Sequence, residues 1–289
     1  MITLHNVSKK FRRTVVLDDL SLTLGRGDRV ALIGSNGAGK TTLIRCILGQ
    51  YVHEGAIEVN GLVPRRNRQE ILKTIGFVPQ IAPPLKMPVA ELLRFCAGTT
   101  GISVDDIKDI AVRLELDYGE LEKRPFVKLS GGQKQKILIA IAIARKPDLV
   151  IMDEPTANLD PRARQILFEL LSERGDLPVL ISSHRLEEVA GLVNRIIELD
   201  RGKVVLDDAV EDSGDIAERL PCQVRLARPD AAFARAISDW RFSPSENEIV
   251  WKGKVAGADR LRFFGVIARY SGIIDGLEMG KAGRGSDDE

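Results

Sequence analysis

Hydrophobic and polar positions alternate from Ile2 to Val7 and again from Leu20 to Leu24, the period of half-buried strands. Gly25, Gly27 and Asp28 mark a turn, and Arg29–Ile33 is a short, mostly apolar run that ends at Gly34. A glycine-rich loop follows, and Thr41–Leu48 then takes a helical pattern. Ile57–Val59 and Gly76–Val78 predict further short strands. From Pro88 to about Leu129 the period lengthens. Glu91–Phe95 and Ile107–Leu116 carry apolar residues three and four apart, as helices do. Ser130-Gly131-Gly132-Gln133 has the form of a capping box ahead of a long apolar helix. Leu149–Met152 and Val179–Ile181 are continuous apolar runs, which suit parallel strands buried on both faces. Arg195–Leu206 predicts a hairpin turning at Asp200-Arg-Gly202. Strands alternating with helices predict an α/β domain over residues 1–206.

The pattern changes after that domain. Asp207 to Gly214 is acidic, and residues 207–220 read as a linker. Gln223–Leu226 predicts a strand, Ala231–Trp240 a helix and Ile249–Trp251 a strand. Ala258–Tyr270 predicts a helix and Ile273–Leu277 a last strand. Together they make a small α/β domain over residues 221–280, and the polar residues 281–289 read as a disordered tail.

Composition narrows the class. The 289 residues are 44% hydrophobic and 29% charged, which excludes wholesale disorder and allows one large domain or two. A net charge of +1 gives no support to a broad nucleic-acid surface. Cys46, Cys96 and Cys222 lie far apart with no CxxC pair, so neither a zinc site nor a disulfide framework is indicated. The opening residues have no apolar secretory segment, and the longest unbroken apolar run, Ile137–Ala144, falls well short of the roughly 20 residues a membrane helix needs. The chain is not expected to cross a membrane by itself.

The chemistry concentrates in two places. Gly34-Ser35-Asn36-Gly37-Ala38-Gly39-Lys40-Thr41 fits G-x-x-x-x-G-K-[ST], with a strand before it and a helix after it. Its glycines let backbone N–H groups close around phosphates, and the helix N-terminus adds a favourable dipole. Lys40 would bridge the β- and γ-phosphates and Thr41 would ligate Mg²⁺. Asp153 ends the run Leu149–Met152, where ligands gather in open α/β sheets, and is expected to hold Mg²⁺. Glu154 follows and could polarise an attacking water. Taken without the glycine loop, Asp153 and Glu154 would read equally well as a solvated strand end before a proline turn.

Leu129-Ser130-Gly131-Gly132-Gln133, followed by Lys-Gln-Lys136, resembles the signature of the ATP-binding cassette superfamily. With the phosphate loop and Leu149–Glu154 it makes residues 1–206 similar to that family throughout. The resemblance implies a P-loop ATPase fold with an antiparallel β subdomain and a helical subdomain at about 88–145. It also implies ATP and Mg²⁺ as cofactors, with Thr42 beside Thr41 in the nucleotide site. Phe11 stands where the family places an aromatic ring against adenine, although a core aromatic is the alternative. Gln80 resembles the glutamine that links Mg²⁺ and water to a partner subunit. Asn158-Leu-Asp160 resembles the family's D-loop, and His184 resembles the histidine that holds the γ-phosphate. Lys136 stands where many members carry arginine, which keeps the charge and loses the bidentate fork.

In the family, Ser130, Gly131, Gly132 and Gln133 cap the nucleotide held by the opposite subunit. The resemblance therefore implies a homodimer closed by two ATP molecules. With no membrane-spanning segment expected here, it also implies a separate transmembrane permease and a cytoplasmic location on the inner face of the cell membrane. The apolar, proline-rich stretch Ile81–Pro88 fits a permease-facing loop, or simply a stiff surface loop. The nucleic-acid members carry a long coiled coil between phosphate loop and signature, or two cassettes, and this sequence shows neither. Iron–sulfur assembly members lack an appended domain. The short tail resembles that of ABC-2-type exporters, including the copper-related type that matures nitrous oxide reductase. A methionine-type importer with a ferredoxin-like regulatory domain is the alternative.

Overall fold

The computed structural model describes residues 2–209, 219–238, 240, 242–245, 247–256, 263, 266–267, 270 and 272–279. The chain divides into two compact units, Met1–Glu211 and Asp212–Glu289.

In the first unit, β1 (Ile2–Phe11), β2 (Thr14–Leu24) and β4 (Glu54–Val59) form an antiparallel sheet in the order β2-β1-β4. Ile2 stands opposite both Leu24 and Val59, and all three are buried. Both β1 and β2 run longer than simple alternation predicts. Register shifts follow Leu4 and Val7, and Asn6 and Asp19 adopt positive φ, tied by an Asn6 Nδ2–Asp19 Oδ1 bond of 2.9 Å. Such bulges break the period of two while the pairing continues.

The second sheet carries the site. Its order is β5-β6-β7-β3-β8-β9, with β3 at Arg29–Ile33, β5 at Ile75–Val78, β6 at Leu149–Asp153, β7 at Val179–Ser183, β8 at Arg195–Asp200 and β9 at Lys203–Ala209. All neighbours are parallel except β8 and β9. Every residue of β6 and β7 is buried, so continuous apolar runs were the correct sign. Two polar residues at the ends of those runs, Asp153 and Ser182, face each other in the ladder.

Helices α1 (Lys40–Ile47) and α2 (Arg68–Thr74) precede a helical region made of α3 (Val89–Thr100), α4 (Val104–Arg113), α5 (Tyr118–Leu121) and α6 (Gly131–Ala144). Its interior is built from Val89, Leu93, Ile107, Phe126 and Ile137. Helix α7 (Pro161–Ser172) starts at an Asp160 cap followed by proline at its first position.

The hairpin expected to end at Leu206 continues to Ala209, where a linker was expected to begin. Arg195 explains the difference. Its Nε and Nη2 hold both carboxylate oxygens of Asp207, at 2.7 and 2.8 Å, so an acidic segment stays in the ladder. Of the rest of the expected linker, 210–218 lies outside the described residues, and Arg219 and Leu220 are not linker but open the next strand, where they pair with Ala256 and Val255.

In the second unit, β10 (Arg219–Leu226), α8 (Ala231–Ser238), β11 (Ser243–Pro244), β12 (Val250–Ala256) and β13 (Ile274–Met279) are present. The sheet is antiparallel in the order β11-β12-β10-β13. This is the strand order of the split β-α-β, or ferredoxin-like, arrangement. Strand β11 has only two residues, too short to show a period, and was not expected. Of the expected helix Ala258–Tyr270, Phe263, Val266 and Ile267 are helical and Tyr270 lies in a turn; the others lie outside the described residues. So does the expected tail, 281–289. Val224, Phe233, Ile237 and Phe263 form the core, where Phe263 stacks on Phe242 with centroids 5.3 Å apart.

Candidate nucleotide site

The loop between β3 and α1 is shaped by glycines that no other residue could replace. Gly34 has φ of 148°, and a Cβ there would meet the Leu199 carbonyl oxygen at 2.3 Å. Gly39 has φ of 112°, and its Cβ would meet Leu17 Cδ2 and the Val16 oxygen, both at 2.9 Å. The backbone can therefore pass close to its neighbours and present its N–H groups at the start of α1. Residues Ser35 to Thr42, with Val16, Gln80 and Glu154, line a cleft of about 300 Å³.

Lys40 is buried at the first position of α1. Its ammonium donates to the Gly34 carbonyl at 2.6 Å and to that of Ser35 at 3.4 Å, and it lies 3.6 Å from Glu154 Oε1. His184 Nδ1 lies 2.7 Å from the other oxygen of that carboxylate. Glu154 itself is 7% exposed and has φ of 50°, a strained turn of the kind found at functional sites.

Thr41 Oγ1 donates to Asp153 Oδ1 at 3.2 Å. A hydroxyl and a carboxylate meeting beside a phosphate cradle form an oxygen donor set that fits Mg²⁺, which takes few protein ligands and completes its shell with phosphate oxygens and water. Among the described residues, no cluster of three or more His, Cys, Asp or Glu could hold a metal alone. Thr41 and Asp153 would hold the ion, with the Gln80 amide lining the same cleft.

Lys40, Thr41, Gln80, Asp153, Glu154 and His184 are thus brought together. Phe11 is not among the residues that line the cleft. It ends β1, is 41% exposed and so is no core aromatic. Its ring meets the edge of Tyr51 at 5.2 Å, and Lys9 Nζ lies 4.6 Å from its centroid.

The signature residues lie in another cleft, of about 340 Å³, lined by Ser130, Gly132, Gln133, Lys136 and Asp160 together with Glu115, Leu116, Asp117, Glu120 and Leu121. No lining residue is shared between the two clefts. Ser130 caps α6 as expected: its Oγ accepts from Gln133 N at 3.2 Å, and its N–H donates to Gln133 Oε1 at 3.0 Å. Gly131 and Gly132 pack on Asn158, where a Cβ would meet its side-chain oxygen at 3.2 Å and its carbonyl at 2.9 Å. Lys136 keeps a pairing, at 3.4 Å to Asp160 Oδ2. The Ala163 N–H, then the Lys136 charge, hold the Asp160 carboxyl below its ordinary value.

Sequence patterns did not single out Ser182, Val16 or Tyr51. Ser182 bonds both Asp153 and Glu154. The available sign was a hydroxyl at the end of an otherwise apolar buried run. Thr156 and Glu188, joined at 2.7 Å, tie the segment after Glu154 to the one after His184; nothing in their spacing announced it.

A family model described as ABC transporter matches residues 17–157. A Nod factor export ATP-binding protein I of Rhizobium sp. (strain N33) is 34% identical, covering 77% of this chain and 75% of its own. The methionine import ATP-binding protein MetN of Lactobacillus johnsonii is 33% identical, covering 71% of this chain and 63% of its own. A solved structure of an ATP binding subunit of an ABC transporter superposes with a TM-score of 0.67 at 28% identity, covering 73% of this chain and 91% of that one.

Proposed function

The chain belongs to the ATP-binding cassette family and is an ATP-hydrolysing subunit of a transporter, and from that premise we propose that it works as a homodimer that closes on two ATP molecules to drive export. The observation that carries the dimer is the separation of the two clefts. The cleft of Ser35–Thr42 has no signature residue of its own chain in its lining. The α6 N-terminus carries positive dipole and lies in a cleft apart from the phosphate loop. Two chains related by a two-fold axis satisfy both at once.

Within each site the backbone N–H groups and Lys40 bind the phosphates. Mg²⁺, when bound through Thr41 and Asp153, neutralises phosphate charge. Glu154 accepts the proton of the attacking water, and His184 holds the γ-phosphate and steadies that carboxylate. Loss of phosphate removes the bond between the two chains, so hydrolysis becomes opening.

No helix among the described residues is long and apolar enough to cross a membrane. In this reading the cargo path belongs to a separate membrane permease, and the chain sits on the cytoplasmic face of the membrane beneath it, as the family resemblance implies. Nucleic acid is not a partner in this reading. Export is supported by the short second unit and by the name of the Nod factor relative. Import is the second reading, favoured by the β11-β12-β10-β13 strand order, because some methionine-type importers carry a ferredoxin-like regulatory domain. Affinity purification from solubilised membranes tests the pairing. Recovery of a membrane-spanning protein in constant ratio supports it, and recovery of the chain with no membrane protein contradicts it.

A further inference from the structure

Ser182 lies at the end of β7, beside Asp153 in the parallel ladder, and is fully buried. Val179, Leu180 and Ile181 before it are apolar, so a hydroxyl there is costly unless both its donor and its acceptor are used. Both are used. The hydroxyl donates to Asp153 Oδ1 at 2.6 Å and accepts from the Glu154 N–H at 2.9 Å. The same N–H also reaches the Ser182 carbonyl, at 3.2 Å. One side chain thus holds the carboxylate of the first acid and the backbone of the second.

Each hold acts on something that would otherwise be free to choose. Asp153 Oδ1 also accepts from Thr41 Oγ1, so two hydroxyls fix which way the carboxylate turns. Glu154 has φ of 50°, a conformation that non-glycine residues avoid unless neighbours impose it. That turn places Glu154 in the wall of the phosphate cleft.

We infer that Ser182 is a positioning residue for ATP hydrolysis, whose hydroxyl sets the Asp153 carboxylate and locks the Glu154 turn. This rests on the roles given above to Asp153 and Glu154. It leads to a split that packing alone does not produce: removal of the hydroxyl lowers turnover and weakens binding of metal-loaded nucleotide, but leaves metal-free nucleotide untouched.

The test compares full-length wild type, Ser182→Ala and Ser182→Thr by steady-state ATPase kinetics and by calorimetry of ADP with EDTA or with Mg²⁺. Ser182→Ala is expected to lower kcat by about 10-fold or more, as small misplacements of reacting groups do, and to raise KM for ATP in the presence of Mg²⁺, as weaker binding of the metal-loaded nucleotide requires. The gain in ADP affinity on adding Mg²⁺ should shrink, with the EDTA value unchanged, and Ser182→Thr should recover turnover. Wild-type kcat and a wild-type Mg²⁺ gain in Ser182→Ala, whatever its melting temperature, would overturn the inference. If Ser182→Ala does not fold, Ser182→Cys, similar in shape but a weak donor, takes its place. Low turnover is then expected, and wild-type turnover would overturn it. Glu154→Gln separates the two layers. Unimpaired turnover there removes the reading beneath, whereas lost turnover with an unaffected Ser182→Ala removes this inference alone.

Discussion

His184 Nδ1 stands 2.7 Å from Glu154 Oε2, so the imidazole and the carboxylate act as one unit at the edge of the phosphate cleft. Lys40 lies 3.6 Å from the other oxygen of the same carboxylate. The acid is therefore addressed from both sides, by an ammonium and by an imidazole. In the proposed mechanism, phosphate entering the cleft competes for Lys40 and leaves Glu154 held by His184 and by its own backbone turn.

Glu154→Gln keeps the shape and removes the base. Turnover should fall by about 10²-fold or more while ATP binding persists. With Mg²⁺ and ATP the variant should accumulate as a dimer in size-exclusion chromatography. Wild-type turnover would remove Glu154 from the role of base.

Phe11 is exposed, meets Tyr51 edge to face and carries the Lys9 ammonium over its ring. Phe11→Ala should weaken ATP binding by about 1–2 kcal/mol, the scale of a lost base–aromatic contact. GTP should bind wild type as well, because stacking reads no base edge. Equal ATP affinity in variant and wild type, by calorimetry, would leave Phe11 as surface only.

Asp160 caps α7 through the Ala163 N–H at 2.8 Å and pairs with Lys136. Asp160→Ala should cost about 1 kcal/mol in urea unfolding at neutral pH, and Asp160→Asn much less, because asparagine also caps. The native carboxyl titrates below its ordinary value of 3.8, so its contribution is complete above that value and is lost as pH falls through the lower native value. The gap between wild type and Asp160→Ala should narrow there. A gap independent of pH would mean that the ionised carboxylate contributes nothing.

Sequence patterns located the candidate site segments because the residues of each are consecutive. Gly34–Thr41, Ser130–Gln133 and Leu149–Glu154 each carry their meaning in local spacing, and each lies at the strand or helix end that spacing implied. What stayed hidden depends on pairing across the fold. Ser182 means nothing until β7 lies beside β6. Asp207 reads as linker until Arg195 is brought against it. Strand β11 has no periodicity to read, and Tyr51 matters only because the end of β1 comes to it.

The residues named for hydrolysis all precede the boundary at Glu211. A chain ending at Glu211 keeps β9 whole, and it should fold and bind ATP with full affinity. Its nucleotide-free dimer should be weaker than that of the full chain by analytical ultracentrifugation, if the second unit stabilises the pair. Equal dimerisation would remove that role, and loss of ATP binding would show that the cassette needs the second unit.

In the proposed homodimer each working site is built from two chains, the phosphate loop of one and the signature of the other. Chains carrying Lys40→Ala and chains carrying Ser130→Arg each lack one half and should be inactive alone. Mixed and purified as heterodimers, they regain one intact site that joins the phosphate loop of the Ser130→Arg chain to the signature of the Lys40→Ala chain. The decisive measurement is the ATPase rate of that heterodimer. Turnover well above both parent homodimers is expected, and a rate no higher than theirs in verified heterodimers would rule out a site shared between two chains.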